Sequence, residues 1–231
     1  RISQAAYERR RPGNEHFAQA LATWSVHGTA ATMPEGAVVA VESILAQVAV
    51  PLAADERALL VVLDGCGVAQ LIEFVDQFRT LGLEEIGPGG QRRAGLAALP
   101  TVTELSRSSL LCGALSPGNA DHEKRGFAAN EAVRALPGTR AVLFHHRPNL
   151  VSGVGQGLPA EVLAALAADG PRLVGAVVNT IDDELSRGDF TREYAIENLG
   201  PLQGLLRAAA DAGRYVIITG DHGHVLGVGL D

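Results

Sequence analysis

Residues 58–65 read Ala-Leu-Leu-Val-Val-Leu-Asp-Gly, six unbroken aliphatic residues followed by an acid and a glycine. A run of this length without polar alternation does not suit a strand with one face in water. It marks a strand covered on both faces, as in a parallel sheet with helices above and below. Three further segments have the same form: residues 139–146 (TRAVLFHH), 173–182 (LVGAVVNTID) and 214–222 (RYVIITGDH) each run aliphatic and then finish in polar side chains. Between them the apolar spacing predicts helices at about 67–82, 103–113, 127–136, 158–169 and 193–212. Strands alternating with helices predict an α/β domain, a doubly wound and mostly parallel sheet flanked by helices. Ligands of such sheets sit at the carboxyl ends of the strands, the edge where Asp64, Asp182 and Asp221 fall.

The chain divides into residues 1–55, expected to be helical and packed on the core, and residues 56–231, the sheet domain. In the first part, Arg9-Arg10-Arg11-Pro12 precedes a helical pattern from Asn14 to Val26 with Phe17, Leu21 and Trp24 near one face. Pro34-Glu35 opens a second pattern through Val38, Val41, Ile44, Leu45 and Val48, closed by Pro51. Gly87-Pro88-Gly89-Gly90 reads as a flexible loop. A chain that begins at Arg1 and stops soon after its densest motif reads as a piece of a longer protein, its core truncated at the C-terminal end.

Charge and cysteine usage narrow the function classes. Nineteen Lys and Arg against 26 Asp and Glu leave a net charge of −7, which lacks the broad positive field that coats nucleic acid non-specifically. Two cysteines, Cys66 and Cys112, in segments that read as buried, fit a reducing cytoplasm better than a disulfide framework. No apolar run reaches the ~18 residues of a membrane span.

Thr219-Gly220-Asp221-His222-Gly223-His224 is the densest chemical motif. One carboxylate and two imidazoles on a glycine-bearing turn after a strand are donors that zinc-like metals prefer, although Asp-His-Gly is also ordinary turn chemistry. Asp64 ends the first strand of the same kind of sheet, whose geometry would bring it near Asp221, and is either a further ligand or a helix N-cap. Gly65-Cys66-Gly67 is not a dinucleotide fingerprint, because Gln70 stands where a third small residue is needed and the acid would repel a pyrophosphate. In Pro100-Thr101-Val102-Thr103-Glu104-Leu105-Ser106-Arg107, Thr103 falls at or near a helix start, where it caps the helix or meets an anion. Arg107, four residues on, shares that face and either clamps a phosphoryl oxygen or pairs with Glu104 or Glu123 at the surface. Asn179-Thr180-Ile181-Asp182-Asp183-Glu184 closes a strand with three acids, of which Asp182 comes first. His145 and His146 end a strand on the same edge but stay outside the metal set.

An acid after strand one, a hydroxyl at a helix start, a later acid and a late Asp-His-Gly follow the order of the alkaline phosphatase superfamily. Within it the phrases VVLDG, LPTVTELSRSSLLCG, NTIDDEL and ITGDHGHV resemble a PglZ domain of the phage-growth-limitation and BREX phage-exclusion systems. The resemblance implies Thr103 as attacking hydroxyl, rather than Thr101 or Ser106. It implies Asp64, Asp221 and His222 as ligands of one divalent metal, zinc first and manganese second, and Asp182 as the carboxylate of another. The histidine that usually follows four residues after that acid is here Ser186, so His224 or a residue beyond Asp231 completes the set, or one ion serves. Sulfatase chemistry is excluded, since neither cysteine sits in a Cys-x-Pro-x-Arg context.

The expected function is therefore a cytoplasmic metal-dependent phosphohydrolase, a phosphodiesterase before a monoesterase, working beside methyltransferase and ATPase components of phage defence. Its substrate is a phosphate ester, nucleic acid and nucleotide included. The alternatives are a catalytically weak or inactive metal-binding scaffold that docks other defence components, and a nucleotide-binding α/β domain without metal.

Overall fold

A computed structural model describes residues 2–27, 38–87, 92–138, 140–150, 157–186 and 195–224. Its centre is a four-stranded sheet built from β2 (Ala58–Leu63), β4 (Val142–His145), β5 (Leu173–Val178) and β6 (Tyr215–Gly220), in the order β4-β5-β2-β6. All three pairings are parallel. Each of the four strands falls inside one of the aliphatic runs. Every residue of β2 and of β5 is buried, as a strand covered on both faces requires.

Alternation along β2 distributes its side chains between two cores. Ala58, Leu60 and Val62 face a cluster with Leu110, Leu111 and Phe127, contributed by α4 (Thr103–Cys112) and α5 (Ala120–Ala129). Leu59, Val61 and Leu63 face the opposite layer. There they meet Phe74 of α3 (Val68–Thr80), Val162 and Leu166 of α7 (Ala160–Leu166), and Leu202, Leu205 and Leu206 of α9 (Leu202–Asp211). Helices on both faces of a parallel sheet make this the doubly wound α/β fold expected. Register places the strand ends level: Leu63 lies opposite both Val178 and Gly220. The next residues, Asp64, Asn179 and Asp221, therefore emerge together at the carboxyl edge.

The N-terminal part is more varied than its pattern suggested. α1 (Ile2–His27) carries Pro12 inside it, and its described side chains are exposed apart from half-buried Leu21, with Phe17 62% exposed. Val38–Ala40, expected in a helix, is instead β1, pairing in parallel with β3 (Ala94–Leu96). The chain then winds through a 3-10 turn (Val41–Ser43) and a π turn (Leu45–Ala49) into α2 (Val50–Asp55). Pro51 does not close this helical run; it sits in the first turn of α2, where its missing N–H leaves no orphan. Val39, Val41, Ile44, Leu45, Ala49 and Ala53 of this stretch are buried in the core. The helix expected at 127–136 is two, α5 and α6 (Glu131–Arg134), separated at Asn130. The Asn130 side chain accepts from the N–H groups of Ala132 and Val133, capping α6 where α5 ends. α8 (Thr180–Ser186) follows β5. Pro34-Glu35 and Pro88-Gly89-Gly90, read as a helix start and a loop, lie outside the described residues, as does the side chain of Ser186.

Candidate active site

The turn after β2 delivers Asp64. Its N–H donates to the carbonyl of Val178 at 3.0 Å, extending the sheet by one rung, and Gly65 then turns the chain at φ +74°. At the end of β6, a Cβ on Gly220 would fall 2.0 Å from the Cys66 carbonyl oxygen. Glycine there lets the two turns touch and brings Asp221 beside Asp64. The Asp221 carboxylate accepts from the N–H groups of Gly65 (3.1 Å) and His222 (2.9 Å) through a single oxygen, Oδ1.

Thr103 is the first residue of α4, and the cap position preceding it is Val102, which has no side-chain cap bond. The threonine hydroxyl is therefore not spent on capping. It donates toward Asp64 Oδ1 at 3.3 Å and lies 2.9 Å from His222 Nε2. The same Nε2 is 3.5 Å from Asp64 Oδ1 and 3.6 Å from Asp221 Oδ2. Four polar atoms thus converge on one point at the start of a helix. Ser106, one turn on, is fully buried and engaged elsewhere: its Oγ accepts from the Ala98 N–H and donates to the Asp221 carbonyl.

Burial and charge set the electrostatics. Asp64 and Asp221 are each 1% exposed. Burial works to raise the Asp64 carboxyl, but the His222 hydrogen bond and the Arg107 charge overcome it and hold the group low. Asp221 takes the opposite course: burial and the negative charge of Asp64 push it up to about 7. The hydrogen bond to Asp64 raises His222, with the Asp221 charge adding to it. Burial also pushes the Cys66 thiol up to about 12, which removes it as a nucleophile.

Two buried carboxylates and an imidazole form the three-ligand group found among the described residues: Asp64, Asp221 and His222, with their donor atoms within 4.8 Å of one another. Oδ2 of Asp221 is buried and has no hydrogen-bond partner. An acceptor left in that state is costly unless a cation meets it, and an oxygen, oxygen and nitrogen donor set suits zinc or manganese. The residues present therefore fit a divalent metal.

Asp182 and His224 form a separate pair at 3.2 Å, each about one-third exposed at the side chain. The His222 and His224 rings lie edge to face with centroids 5.2 Å apart, so the pair borders the first cluster.

Arg107 is 9% exposed and pairs with two carboxylates, Asp64 through Nη1 and Glu123 through Nε at 3.0 Å. The pairing weighed with Glu123 is present, but in the interior rather than at the surface. Glu123 itself was not among the sequence candidates. It is 0% exposed and sits 2.6 Å from His145 Nε2. Its spacing from buried Phe127, four residues later on the same helix face, was the available signal.

Comparison with known proteins agrees with this order of elements. No curated protein matches the chain. Among protein families, residues 44–228 match the BREX system PglZ alkaline phosphatase-like domain, a span running from the buried stretch before β2 to past the Asp-His-Gly-His turn. With most of its length matched and its acids and hydroxyl at the sheet edge, the chain belongs to the PglZ alkaline phosphatase-like domains of BREX systems.

Proposed function

We propose that this chain is a metal-dependent phosphohydrolase of phage defence, acting on phosphodiesters before monoesters, with Thr103 as nucleophile. The observation that carries the reading is the convergence of the Thr103 hydroxyl, Asp64 Oδ1 and His222 Nε2 beside the unpartnered Asp221 Oδ2. Asp64, Asp221 and His222 would hold a divalent cation, zinc first and manganese second, and Asp182 with His224 would face a second. Bound there, the cation lowers the pKa of the hydroxyl and neutralises charge on phosphoryl oxygens.

The chain's own residues do the rest. α4 presents the N–H groups of its first turn toward an anion, and Thr103 starts that turn. Its proton is released to solvent water, since Asp64 Oδ1 and His222 Nε2 would be engaged with the cation, and Oγ1 attacks phosphorus in line. An Oγ1–P bond forms, the bond to the leaving-group oxygen breaks, and that oxygen departs with a proton. Water then cleaves the phosphothreonine and restores the hydroxyl. Burial of Asp64 and Asp221 keeps bulk water from screening the site.

Family membership supports partners among the methyltransferase and ATPase components of such systems, met in the cytoplasm. No described helix is long and apolar enough to cross a membrane. The test is elemental analysis of wild type beside Asp221→Ala, with hydrolysis of a chromogenic phosphodiester on the same samples. Metal and activity lost together in the variant support the reading. Metal without hydrolysis in wild type supports a docking scaffold, and no metal in either sample overturns the site.

A further inference from the structure

Behind the cluster of Thr103, Asp64 and His222 lies a second set of charged groups that the proposed reaction does not use. On α5, the helix that also buries Phe127, Glu123 has no exposed surface. Each of its oxygens is engaged. Oε1 accepts from Arg107 Nε at 3.0 Å and from Ser108 Oγ at 3.2 Å, and Oε2 lies 2.6 Å from His145 Nε2 at the end of β4. Three elements, α4, α5 and β4, are thereby joined at one carboxylate. The His145 and Arg107 contacts hold it ionised against burial.

Stability is a weak reason for such an arrangement, because a buried ion pair seldom outperforms well-packed apolar side chains of the same volume. Orientation is a better one. Arg107 carries a planar fork of donors, and here the fork is divided: Nε faces Glu123 while Nη1 donates to Asp64 Oδ2. With Oδ2 held from behind, Asp64 Oδ1 is left aimed at Thr103 and His222. Without Glu123, Arg107 would be a flexible chain with one anchor, free to rotate away from Asp64.

We infer that Glu123, backed by His145, is a positioning residue that acts through Arg107 to fix the Asp64 carboxylate toward Thr103 and the cation. The inference rests on the metal-site reading above. It gives Arg107 a role in holding Asp64 rather than in clamping substrate. Groups behind a metal ligand typically change affinity or activity by about 10- to 100-fold when altered.

The test is zinc titration of the metal-free chain, with melting temperature measured alongside. Glu123→Gln keeps the shape and is expected to weaken zinc binding about 10-fold or more. In an Arg107→Met background the same substitution should have no further effect, since its route to Asp64 is gone. Should Glu123→Gln not fold, Glu123→Asp, which draws the charge back by one methylene, carries the same expectation. A lowered melting temperature with unchanged zinc affinity overturns the positioning role, as do additive effects in the Arg107→Met background. Wild type that binds no zinc overturns the metal site and this inference together, whereas tight wild-type binding unaltered by either Glu123 variant overturns this inference alone.

Discussion

The hydroxyl of Thr103 lies 2.9 Å from Nε2 of His222, although 119 residues separate the two in the chain. Neither side chain has a reason of its own to be there. Thr103 starts a helix whose cap position is Val102, and His222 follows a strand end that the Gly220 contact presses against the turn after β2. Removing the hydroxyl while keeping the branched shape separates chemistry from packing. Thr103→Val should abolish phosphodiester hydrolysis, leave metal content at the wild-type level and change the melting temperature little. Thr103→Ser, which retains a hydroxyl, should keep measurable turnover. Loss of metal together with activity in Thr103→Val would assign the residue to ligand binding instead of attack.

Asp221 makes the metal-free protein sensitive to pH in a defined direction. Its carboxyl, pushed up to about 7 by burial and by Asp64, keeps a proton that an unfolded aspartate, with a pKa of about 3.9, has released. Stability from this group therefore falls as pH rises from about 4 to about 7. His222, raised by Asp64, adds stability that is present below its ordinary value and is lost as pH rises through its folded one. Asp64, held low, loses its contribution only in acid and stays constant across this window. Metal-free wild type should melt at a lower temperature at pH 8 than at pH 5.5, and Asp221→Asn should flatten that dependence. Zinc in excess should restore more at pH 8 than at pH 5.5. Identical slopes for wild type and Asp221→Asn would remove Asp221 as their source.

The sheet and its carboxyl edge were legible because both rest on local chemistry. A parallel strand buried on both faces must be apolar throughout, so the run ending at Asp64 carries its own boundary; β6, a partly exposed edge strand, keeps enough of the aliphatic pattern for its end before Asp221 to be read as well. Thr103 was readable from a proline, a threonine pair and the closing Gly113, which adopts φ +73° at the end of α4. Strand order was not readable, since β2 pairs with β5 and β6 across more than 100 residues and no periodicity encodes that choice. β1 and β3 are three residues each, too short for alternation to show. Glu123 reads in the sequence only as a surface partner of Arg107, and its burial was hidden for another reason. A glutamate among Asp121, His122 and Lys124 reads as part of a solvated helix face, and its partners Arg107 and His145 lie 16 and 22 residues away on other elements.

Arg214 offers a stability prediction remote from the site, at the opposite end of the sheet. The side chain is 4% exposed and donates to backbone carbonyls of Leu166 (2.6 Å), Pro171 (2.8 Å), Ala165 (2.9 Å) and Ala167 (3.0 Å). One guanidinium thus satisfies the last carbonyls of α7 and the loop that enters β5. Arg214→Ala removes the donor from the Leu166, Pro171 and Ala165 carbonyls, while Ala167 keeps the Gly170 N–H, and should destabilise the fold by about 3 kcal/mol or more in denaturant unfolding. Arg214→Lys, with a point charge in place of a fork, should recover only part. Metal content per folded molecule should be unchanged in both, and a loss of metal that exceeds the loss of folded protein would show coupling along β6 to Asp221.

Gly65 and Gly82 allow backbone strain and steric contact to be measured apart. Both have positive φ, +74° and +77°. A Cβ on Gly82 meets nothing within 4 Å, whereas one on Gly65 would lie 2.5 Å from His224 Nε2 and 3.5 Å from the Cβ of Asp182. Gly82→Ala therefore reports the left-handed backbone cost alone, about 1–2 kcal/mol. Gly65→Ala carries that cost and must also drive His224 away from Asp182, because the nearest atom belongs to a ring that turns about its own bonds. Both variants should lose similar stability from the backbone, and Gly65→Ala alone should lose hydrolysis and any metal held by the Asp182 and His224 pair. Metal stoichiometry and turnover on the two variants decide the matter. Equal turnover in Gly65→Ala and Gly82→Ala would mean that the approach of His224 to Asp182 is no part of the working site, and that Asp64, Asp221 and His222 act without it.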